Sequence, residues 1–165
     1  MTKYIFDVET LGLDPISDRI ICISLKIPLT TVCISYFGES EIEILTSFWN
    51  LLEETDEIFS FNGDKFDIPF IVMRSVINNI KVKKFNHIDL RKVCNSWKVS
   101  FSDYTKGTLR DWAKILNIVP TTSNGSEMIK LFQNNEWDKI KSHCEEDVRI
   151  CDALYLRLRD VGLLT

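Results

Sequence analysis

The sequence of 165 residues lacks the features that mark membrane, secreted or repetitive proteins. No apolar run approaches the length of a membrane span, and the N-terminal residues lead directly to the acidic Asp7, so neither a transmembrane segment nor a signal peptide is expected. Internal repeats, linkers and low-complexity stretches are also absent from the sequence. We therefore expect one globular domain over residues 1–165 that does not associate with membranes.

Zinc ligands and disulfide patterns are scarce as well. No two of the five cysteines have zinc-ligand spacing, and the only two histidines, His87 and His143, are far apart in the sequence. The cysteines are odd in number and lie mostly within apolar runs. These features indicate reduced thiols in the core of a cytoplasmic protein.

The net charge of −4 argues against a general nucleic-acid-binding protein, but the charge is unevenly distributed. Residues 1–64 hold three basic side chains against twelve acidic ones, whereas residues 65–115 hold eleven against four. This asymmetry is typical of a protein that holds cations beside a polyanion; alternatively, the two signs simply alternate over the surface. The basic residues expected to follow a phosphate backbone are Lys81, Lys83, Lys84, Arg91, Lys92 and Lys98.

Hydrophobic patterning predicts a mixed α/β fold in which three strands precede the first helix. The predicted strands are 4–10, 20–25, 31–36 and 57–61. The predicted helices are 41–55, 67–76, 108–116, 126–132 and one long helix that begins at residue 136. Over residues 85–95, a short strand or turn is expected to lead into a brief helix. The last helix carries a buried stripe at a spacing of three or four residues, formed by Ile140, Cys144, Val148, Cys151, Leu154 and Leu158.

Two acids end the first predicted strand. Asp7 and Glu9 are separated by one residue, and residues at this spacing share a face of a strand. Two adjacent like charges are unfavourable unless a positive group lies between them. The pair therefore indicates either half of a divalent-metal site or a strand end whose acids face water.

Three further polar residues extend this pattern. Asp67 opens a predicted helix, where it is either a site residue or a helix N-cap. His143 and Asp147 are four residues apart on the last helix and share a face, so they belong either to the site or to a structural pair at the core margin. The acids expected to be solvated on this helix are Glu145, Glu146 and Asp152.

Three segments of the chain together resemble the exonuclease motifs of the DEDD superfamily. They are Phe6-Asp7-Val8-Glu9-Thr10, Phe61-Asn62-Gly63-Asp64-Lys65-Phe66-Asp67-Ile68-Pro69-Phe70 and His143-Cys144-Glu145-Glu146-Asp147-Val148. The second resembles the proofreading domain of family-B DNA polymerases, and the third resembles stand-alone exonucleases related to that domain. The resemblance spans nearly the whole chain and implies an α/β, RNase H-like fold with a mixed five-stranded sheet flanked by helices.

The resemblance implies a metal-dependent 3′–5′ exonuclease that hydrolyses phosphodiester bonds at single-stranded ends, with DNA as the expected substrate. Two Mg²⁺ or Mn²⁺ ions would stabilise the phosphate and activate water. The implied site consists of four metal-binding carboxylates and a histidine that orients or deprotonates the water: Asp7, Glu9, Asp67, Asp147 and His143. The implied nucleic-acid contacts are Thr10, Leu11, Asn62 and Phe66, although Leu11 and Phe66 also suit simple core packing.

His143 departs from the family pattern. The stand-alone relatives have Tyr four residues before the last Asp, and the branch that uses His places it five residues before; this chain has His at the tyrosine spacing. Two alternatives therefore stay open: an RNA 3′-end-trimming exoribonuclease of the same fold, and a catalytically inactive nucleic-acid-binding module. The sequence also leaves open whether the domain works alone, as a dimer, or with a replication or repair partner.

Overall fold

The structure is a computed structural model that describes residues 1–96, 107–122 and 127–165. It contains a mixed five-stranded sheet with strand order β3-β2-β1-β4-β5. The strands are β1 Lys3–Thr10, β2 Ile20–Lys26, β3 Cys33–Phe37, β4 Glu57–Ser60 and β5 Asn86–Asp89. The helices of the described residues are α1 Glu41–Leu51, α2 Asp67–Ile77, α3 Leu90–Asn95, α4 Leu109–Ile115, α5 Met128–Gln133 and α6 Trp137–Asp160. The predicted sheet flanked by helices is confirmed.

β1 lies at the centre of the sheet and extends beyond one of its neighbours. It pairs antiparallel with β2 along most of its length but parallel with β4 only as far as Ile5. The chain leaves β4 after Ser60 and turns into α2. The carboxyl-terminal half of β1 therefore has backbone groups on its β4 side that other parts of the chain must satisfy.

The side chains of β1 alternate between two hydrophobic layers. Phe6 and Val8 pack into the layer formed with α1 and α2. Ile5 packs into the opposite layer, which includes Val148 of α6. Each large apolar side chain that is fully buried in these layers contributes about 1.5–3 kcal/mol. Since every second residue of a strand shares a face, the acids at positions 7 and 9 lie on the side of α6.

α6 is the long helix that the sequence predicted, and its predicted stripe is buried throughout. The helix packs against β1 and β2, which places its polar residues near the acids of β1. Among the described residues, no helix is both long and apolar enough to cross a membrane.

Most predicted boundaries lie within one residue of the observed ones, and the larger differences are at α1, α5 and β3, which begins at Cys33 instead of residue 31. α1 ends at Leu51 instead of residue 55, and α5 begins at Met128, while Ser126 lies outside the described residues. Thr108 is the N-cap of α4, and it forms a reciprocal capping box with Asp111. This pairing satisfies backbone N–H groups that have no partner inside the helix.

Candidate active site

Asp7 and Glu9 lie in the carboxyl-terminal half of β1, opposite Ser24 and Cys22 of β2. Burial raises the pKa of Asp7 well above its usual range, and the negative charges of Asp67, Asp147 and Glu9 raise it further. The raised pKa of Asp7 therefore reflects its burial beside three other carboxylates.

Asp67 is the first residue of α2 and reaches the part of β1 that extends beyond β4. Its carboxylate accepts a hydrogen bond from the backbone N–H of Val8, so it supplies a partner that β4 does not. Asp67 is not the N-cap of α2, because Phe66 occupies the N-cap position. Only 4% of Asp67 is exposed, and burial raises its pKa to about 7.

The turn before Asp67 is held by an acid of β5. The carboxylate of Asp89 accepts hydrogen bonds from the backbone N–H groups of Asn62 (2.9 Å) and Asp64 (3.4 Å). Asn62 has a φ of 71°, a left-handed conformation that Asn adopts more readily than most residues. These contacts fix the path by which the chain delivers Asp67 to β1.

His143 and Asp147 project from one face of α6 toward β1. Nδ1 of His143 lies 2.6 Å from Oε1 of Glu9, and His143 is only 4% exposed. Burial lowers the pKa of His143, but the hydrogen bond and charge of Glu9, together with the charge of Asp147, raise it above its ordinary value. Burial raises the pKa of Asp147 to about 6, although the positive charges of His143 and Arg110 oppose this shift.

The structure brings the five predicted site residues together at this end of β1. Candidate ligand atoms of Glu9, His143 and Asp147 all lie within 4.8 Å of one another. Asp7 and Asp67 interact closely enough for the charge of one to raise the pKa of the other. Four buried or half-buried carboxylates and one imidazole therefore share one site.

The thiol of Cys144 also reaches the site, although the sequence predicted only that this residue lies in the core. Cys144 is buried in the stripe of α6, and its Sγ donates to the backbone oxygen of Asp7 at 3.4 Å. Candidate ligand atoms of Asp7, Glu9 and Cys144 also lie within 4.8 Å of one another. The stripe spacing predicted the burial of Cys144 but carried no sign of its acidic neighbour.

The prediction that Glu146 is solvated is wrong. Only 7% of Glu146 is exposed, and its carboxylate accepts hydrogen bonds from the backbone N–H and hydroxyl groups of Thr121 and Thr122. Burial raises the pKa of Glu146, but these hydrogen bonds outweigh it and lower the pKa to about 2. Arg110 joins this cluster to the site, because its Nη1 lies 3.2 Å from Glu146 and its Nη2 lies 3.5 Å from Oδ1 of Asp147.

The prediction for Asp152 is also wrong, since this residue is buried and pairs with Lys26 of β2. Glu145 is partly exposed and accepts from the hydroxyl of Ser35. Glu145, Glu146 and Asp152 all lie on α6. The residues that bury Glu146 and Asp152 come from segments distant in the sequence. No local sequence signal separates Glu146 from Glu145.

Three of the four predicted nucleic-acid contacts line one cavity beside Glu9. The cavity has a volume of about 390 Å³ and includes Thr10, Leu11 and Phe66. Its remaining lining residues are Val8, Gly12, Leu13, Met128 and Ile129. The hydroxyl of Thr10 donates to the backbone oxygen of Gly12 at 2.6 Å. Asn62 does not line the cavity.

Asn62 and several predicted phosphate-binding residues contact other parts of the protein. Oδ1 of Asn62 accepts from Nη1 of Arg91 at 2.9 Å, and Lys92 pairs with Asp64. Lys83 donates to the backbone oxygen of Leu52 at 2.6 Å. Lys98 lies outside the described residues. At least three of the six basic residues therefore have structural partners, which weakens the expectation of a continuous basic path.

Comparison with known proteins identifies the family. A family model of the RNase H superfamily matches residues 4–159. The chain belongs to the RNase H superfamily. It is 35% identical over 180 aligned residues to an uncharacterized protein of Methanocaldococcus jannaschii, and the match covers 99% of both chains.

The fold is also similar to that of a solved family B DNA polymerase from the hyperthermophilic archaeon Pyrobaculum calidifontis. The TM-score is 0.79 at 14% sequence identity, and the match covers 99% of this RNase H superfamily chain. The chain spans about a quarter of the polymerase's length, since the match covers 25% of it. The predicted RNase H-like fold and its relation to the polymerase fold are confirmed.

Membership of the RNase H superfamily supports a nuclease-type activity. RNase H-like nucleases usually use divalent metal ions, and the clustered acids of this chain suit that requirement. Fold alone does not determine the reaction, because one fold hosts many activities.

Proposed function

We propose that this protein is a 3′–5′ exonuclease that hydrolyses single-stranded DNA ends with the help of two divalent metal ions. The observation that carries this proposal is the convergence of four carboxylates, Asp7, Glu9, Asp67 and Asp147, around the end of β1 beside His143. Buried acids from three separate elements have a strong mutual repulsion, and bound cations would relieve it.

The residues present fit such ions. The pKa values of Asp7, Asp67 and Asp147 are all raised by burial, so the part of the protein that the structure describes compensates these carboxylates only incompletely. Carboxylate oxygens are the ligands that Mg²⁺ and Mn²⁺ prefer, and Asp7, Glu9, Asp67 and Asp147 would hold them. Two such ions, when bound, activate water, neutralise charge on the phosphate and help the 3′ oxygen to depart.

His143 is suited to handle the proton of the attacking water. An imidazole accepts a proton effectively near neutral pH when it is uncharged. The contact with Glu9 favours the protonated form of His143, whereas positive charge bound by the carboxylates would disfavour it. We therefore assign His143 to orienting the water and accepting its proton. Arg110 and Glu146 position the adjacent Asp147.

The cavity beside Glu9 suits the terminal nucleotide. Its walls are mainly apolar and include Leu11 and Phe66, and stacking on an aromatic side chain is worth about 1–3 kcal/mol per base. Such walls offer few groups that could distinguish one base edge from another. This composition supports hydrolysis that is insensitive to base sequence and requires an unpaired end.

The experiment is cleavage of a labelled single-stranded DNA by the wild type and by Asp147→Ala, with Mg²⁺ or Mn²⁺. We expect the variant to lose more than about 100-fold of the rate, because a metal-dependent site tolerates the loss of a ligand poorly. Glu54→Gln, an exposed acid just before β4, whose start pairs with the end of β1 opposite to Asp7 and Glu9, is the control and should retain full activity.

Three outcomes would redirect the proposal. A loss smaller than about tenfold in Asp147→Ala would contradict a two-metal site. Stronger competition by RNA ends than by DNA ends would favour the exoribonuclease alternative. DNA binding without cleavage in any divalent ion would favour the inactive binding module.

A further inference from the structure

We propose that Glu9, His143 and Asp147 form a mixed imidazole–carboxylate site that captures a zinc-class transition ion and thereby inhibits the enzyme. The binding part of this inference rests on the structure alone. The inhibitory part rests on the proposed exonuclease function. The two parts are therefore tested separately.

The three side chains converge from two firmly packed elements. Candidate ligand atoms of Glu9, His143 and Asp147 lie within 4.8 Å of one another. His143 and Asp147 are one turn apart on α6, and this i, i+4 spacing places two ligands on the same helix face, as in helical zinc motifs. Glu9 supplies the third ligand from β1. Its Oε1 lies 2.6 Å from Nδ1 of His143, and this contact leaves Nε2 as the imidazole nitrogen that can bind an ion.

Two atoms of this group are buried and lack hydrogen-bond partners. Within the described parts of the chain, Nε2 of His143 and Oδ1 of Asp147 are inaccessible to solvent and accept or donate no hydrogen bond. Nη2 of Arg110 lies 3.5 Å from Oδ1 of Asp147. Buried polar atoms without partners are rare in folded proteins and are costly. A bound cation would supply the missing interaction.

One imidazole with two carboxylates favours a different metal ion from the one that four carboxylates favour. Imidazole suits zinc, copper, iron and nickel, whereas carboxylates suit magnesium, calcium and manganese. Zinc sites with three protein ligands of the His and carboxylate types leave a fourth position for water. His143 therefore adds a nitrogen ligand to the oxygen ligands of Glu9 and Asp147.

Capture of such an ion would oppose catalysis. A nitrogen that binds the metal has no lone pair left with which to accept the proton of the attacking water. Glu9 and Asp147 would also be withdrawn from the activating ions. Zinc-class ions should therefore inhibit hydrolysis supported by Mg²⁺, and the inhibition should depend on His143.

The binding experiment uses the imidazole ¹⁵N signals of the metal-free wild type during a Zn²⁺ titration. The chain has only two histidines, and His87 is an internal reference because its nitrogens contact Asp64 (2.7 Å) and Ser60 (2.8 Å). We expect the His143 nitrogens to shift with one equivalent of Zn²⁺ while those of His87 stay in place. Unchanged His143 signals at saturating Zn²⁺ would overturn the proposal without requiring any variant.

Calorimetry of Zn²⁺ and Mg²⁺ binding then tests the ligand set. His143→Gln should weaken Zn²⁺ binding at least about tenfold, or about 1.4 kcal/mol, and leave Mg²⁺ affinity nearly unchanged because Mg²⁺ prefers oxygen ligands. His87→Gln is the matched control and should bind Zn²⁺ like the wild type. Equal Zn²⁺ affinity in His143→Gln and the wild type would contradict the proposal. Loss of Zn²⁺ binding in Cys144→Ser but not in His143→Gln would also contradict it, because the thiol would then be the ligand.

Inhibition is measured as Zn²⁺-dependent loss of the cleavage supported by Mg²⁺. We expect Zn²⁺ to raise the Mg²⁺ concentration needed for half-maximal activity in the wild type. Undiminished cleavage with Zn²⁺ bound to His143 would overturn the inhibitory role but leave the site in place. Absence of cleavage without Zn²⁺ would overturn the exonuclease function, and the calorimetric result would still decide the ion site.

Discussion

His143 and Glu9 are 134 residues apart in the sequence, yet Nδ1 of the first lies 2.6 Å from Oε1 of the second. This contact joins α6 to β1 at the point where the acids gather. It gives Glu9 a partner in the metal-free protein and places an imidazole where a water-activating group is needed.

The stability of the metal-free protein should fall as the pH rises from about 4 to 7. The pKa of Asp147 is raised to about 6 and that of Asp67 to about 7, so the folded state binds more protons than the unfolded state between the usual carboxyl pKa near 4 and these values. The slope of the unfolding free energy with pH is then negative. The raised pKa of His143 acts in the same direction as the pH passes above about 6.5.

Thermal unfolding with and without EDTA measures this effect. We expect a lower midpoint at pH 7.5 than at pH 5.5 in EDTA, and recovery at pH 7.5 when Mg²⁺ or Mn²⁺ is added. Asp67→Asn should raise the thermal unfolding midpoint of the metal-free protein at pH 7.5. Each kcal/mol added to the free energy of unfolding should raise this midpoint by about 2–4 °C. A midpoint that rises steadily from pH 5.5 to pH 7.5 in EDTA would contradict the assignment of these pKa values.

Glu146→Gln should destabilise the protein by about 1–3 kcal/mol, because the charged acceptor of several buried hydrogen bonds is replaced by a neutral amide. Since the pKa of Glu146 is lowered to about 2, its stabilising effect is fully present above the usual glutamate pKa and is lost as the pH falls toward 2. Urea unfolding at pH 7 checks the first point. The neighbouring Glu145→Gln, on a partly exposed residue, should cost less, and equal losses would argue against a special role for Glu146.

Phe66→Ala should weaken binding of single-stranded DNA by about 1–3 kcal/mol, the range for one base stacked on an aromatic ring. Phe66 lines the cavity beside Glu9 but holds no metal in this scheme, so calorimetric Mg²⁺ affinity should stay close to that of the wild type. Fluorescence anisotropy of a labelled oligonucleotide in Ca²⁺ or EDTA measures binding without cleavage. Unchanged DNA affinity would mean that Phe66 only packs against Phe70, its neighbour at 5.4 Å between ring centroids.

The sequence predicted the parts of this fold that depend on local periodicity. Alternation along β1 placed Asp7 and Glu9 on one face, and the three-to-four spacing of apolar residues placed His143 and Asp147 at the margin of the buried stripe. These two patterns, combined with the motif resemblance, were sufficient to collect all five proposed site residues.

What the sequence could not predict depends on contacts between distant segments. The sequence around Glu146 is that of a solvated helix residue, but Thr121 and Thr122 from a distant segment donate hydrogen bonds to it. Similarly, Arg110 of α4 contacts Asp147 of α6. The burial of a charged residue depends on such partners, which leave no periodic trace in the sequence. The phosphate path stays a prediction, although Lys83 and Lys92 are paired within the protein.

The most direct measurement of the central claim is the polarity and metal requirement of cleavage on single-stranded DNA blocked at either end. The account predicts that Mg²⁺ or Mn²⁺ supports stepwise release of mononucleotides from a 5′-blocked strand, that a 3′ block prevents it, and that EDTA or Asp7→Asn abolishes it. Cleavage that persists with the 3′ end blocked, or that proceeds in EDTA, would contradict a metal-dependent 3′–5′ exonuclease.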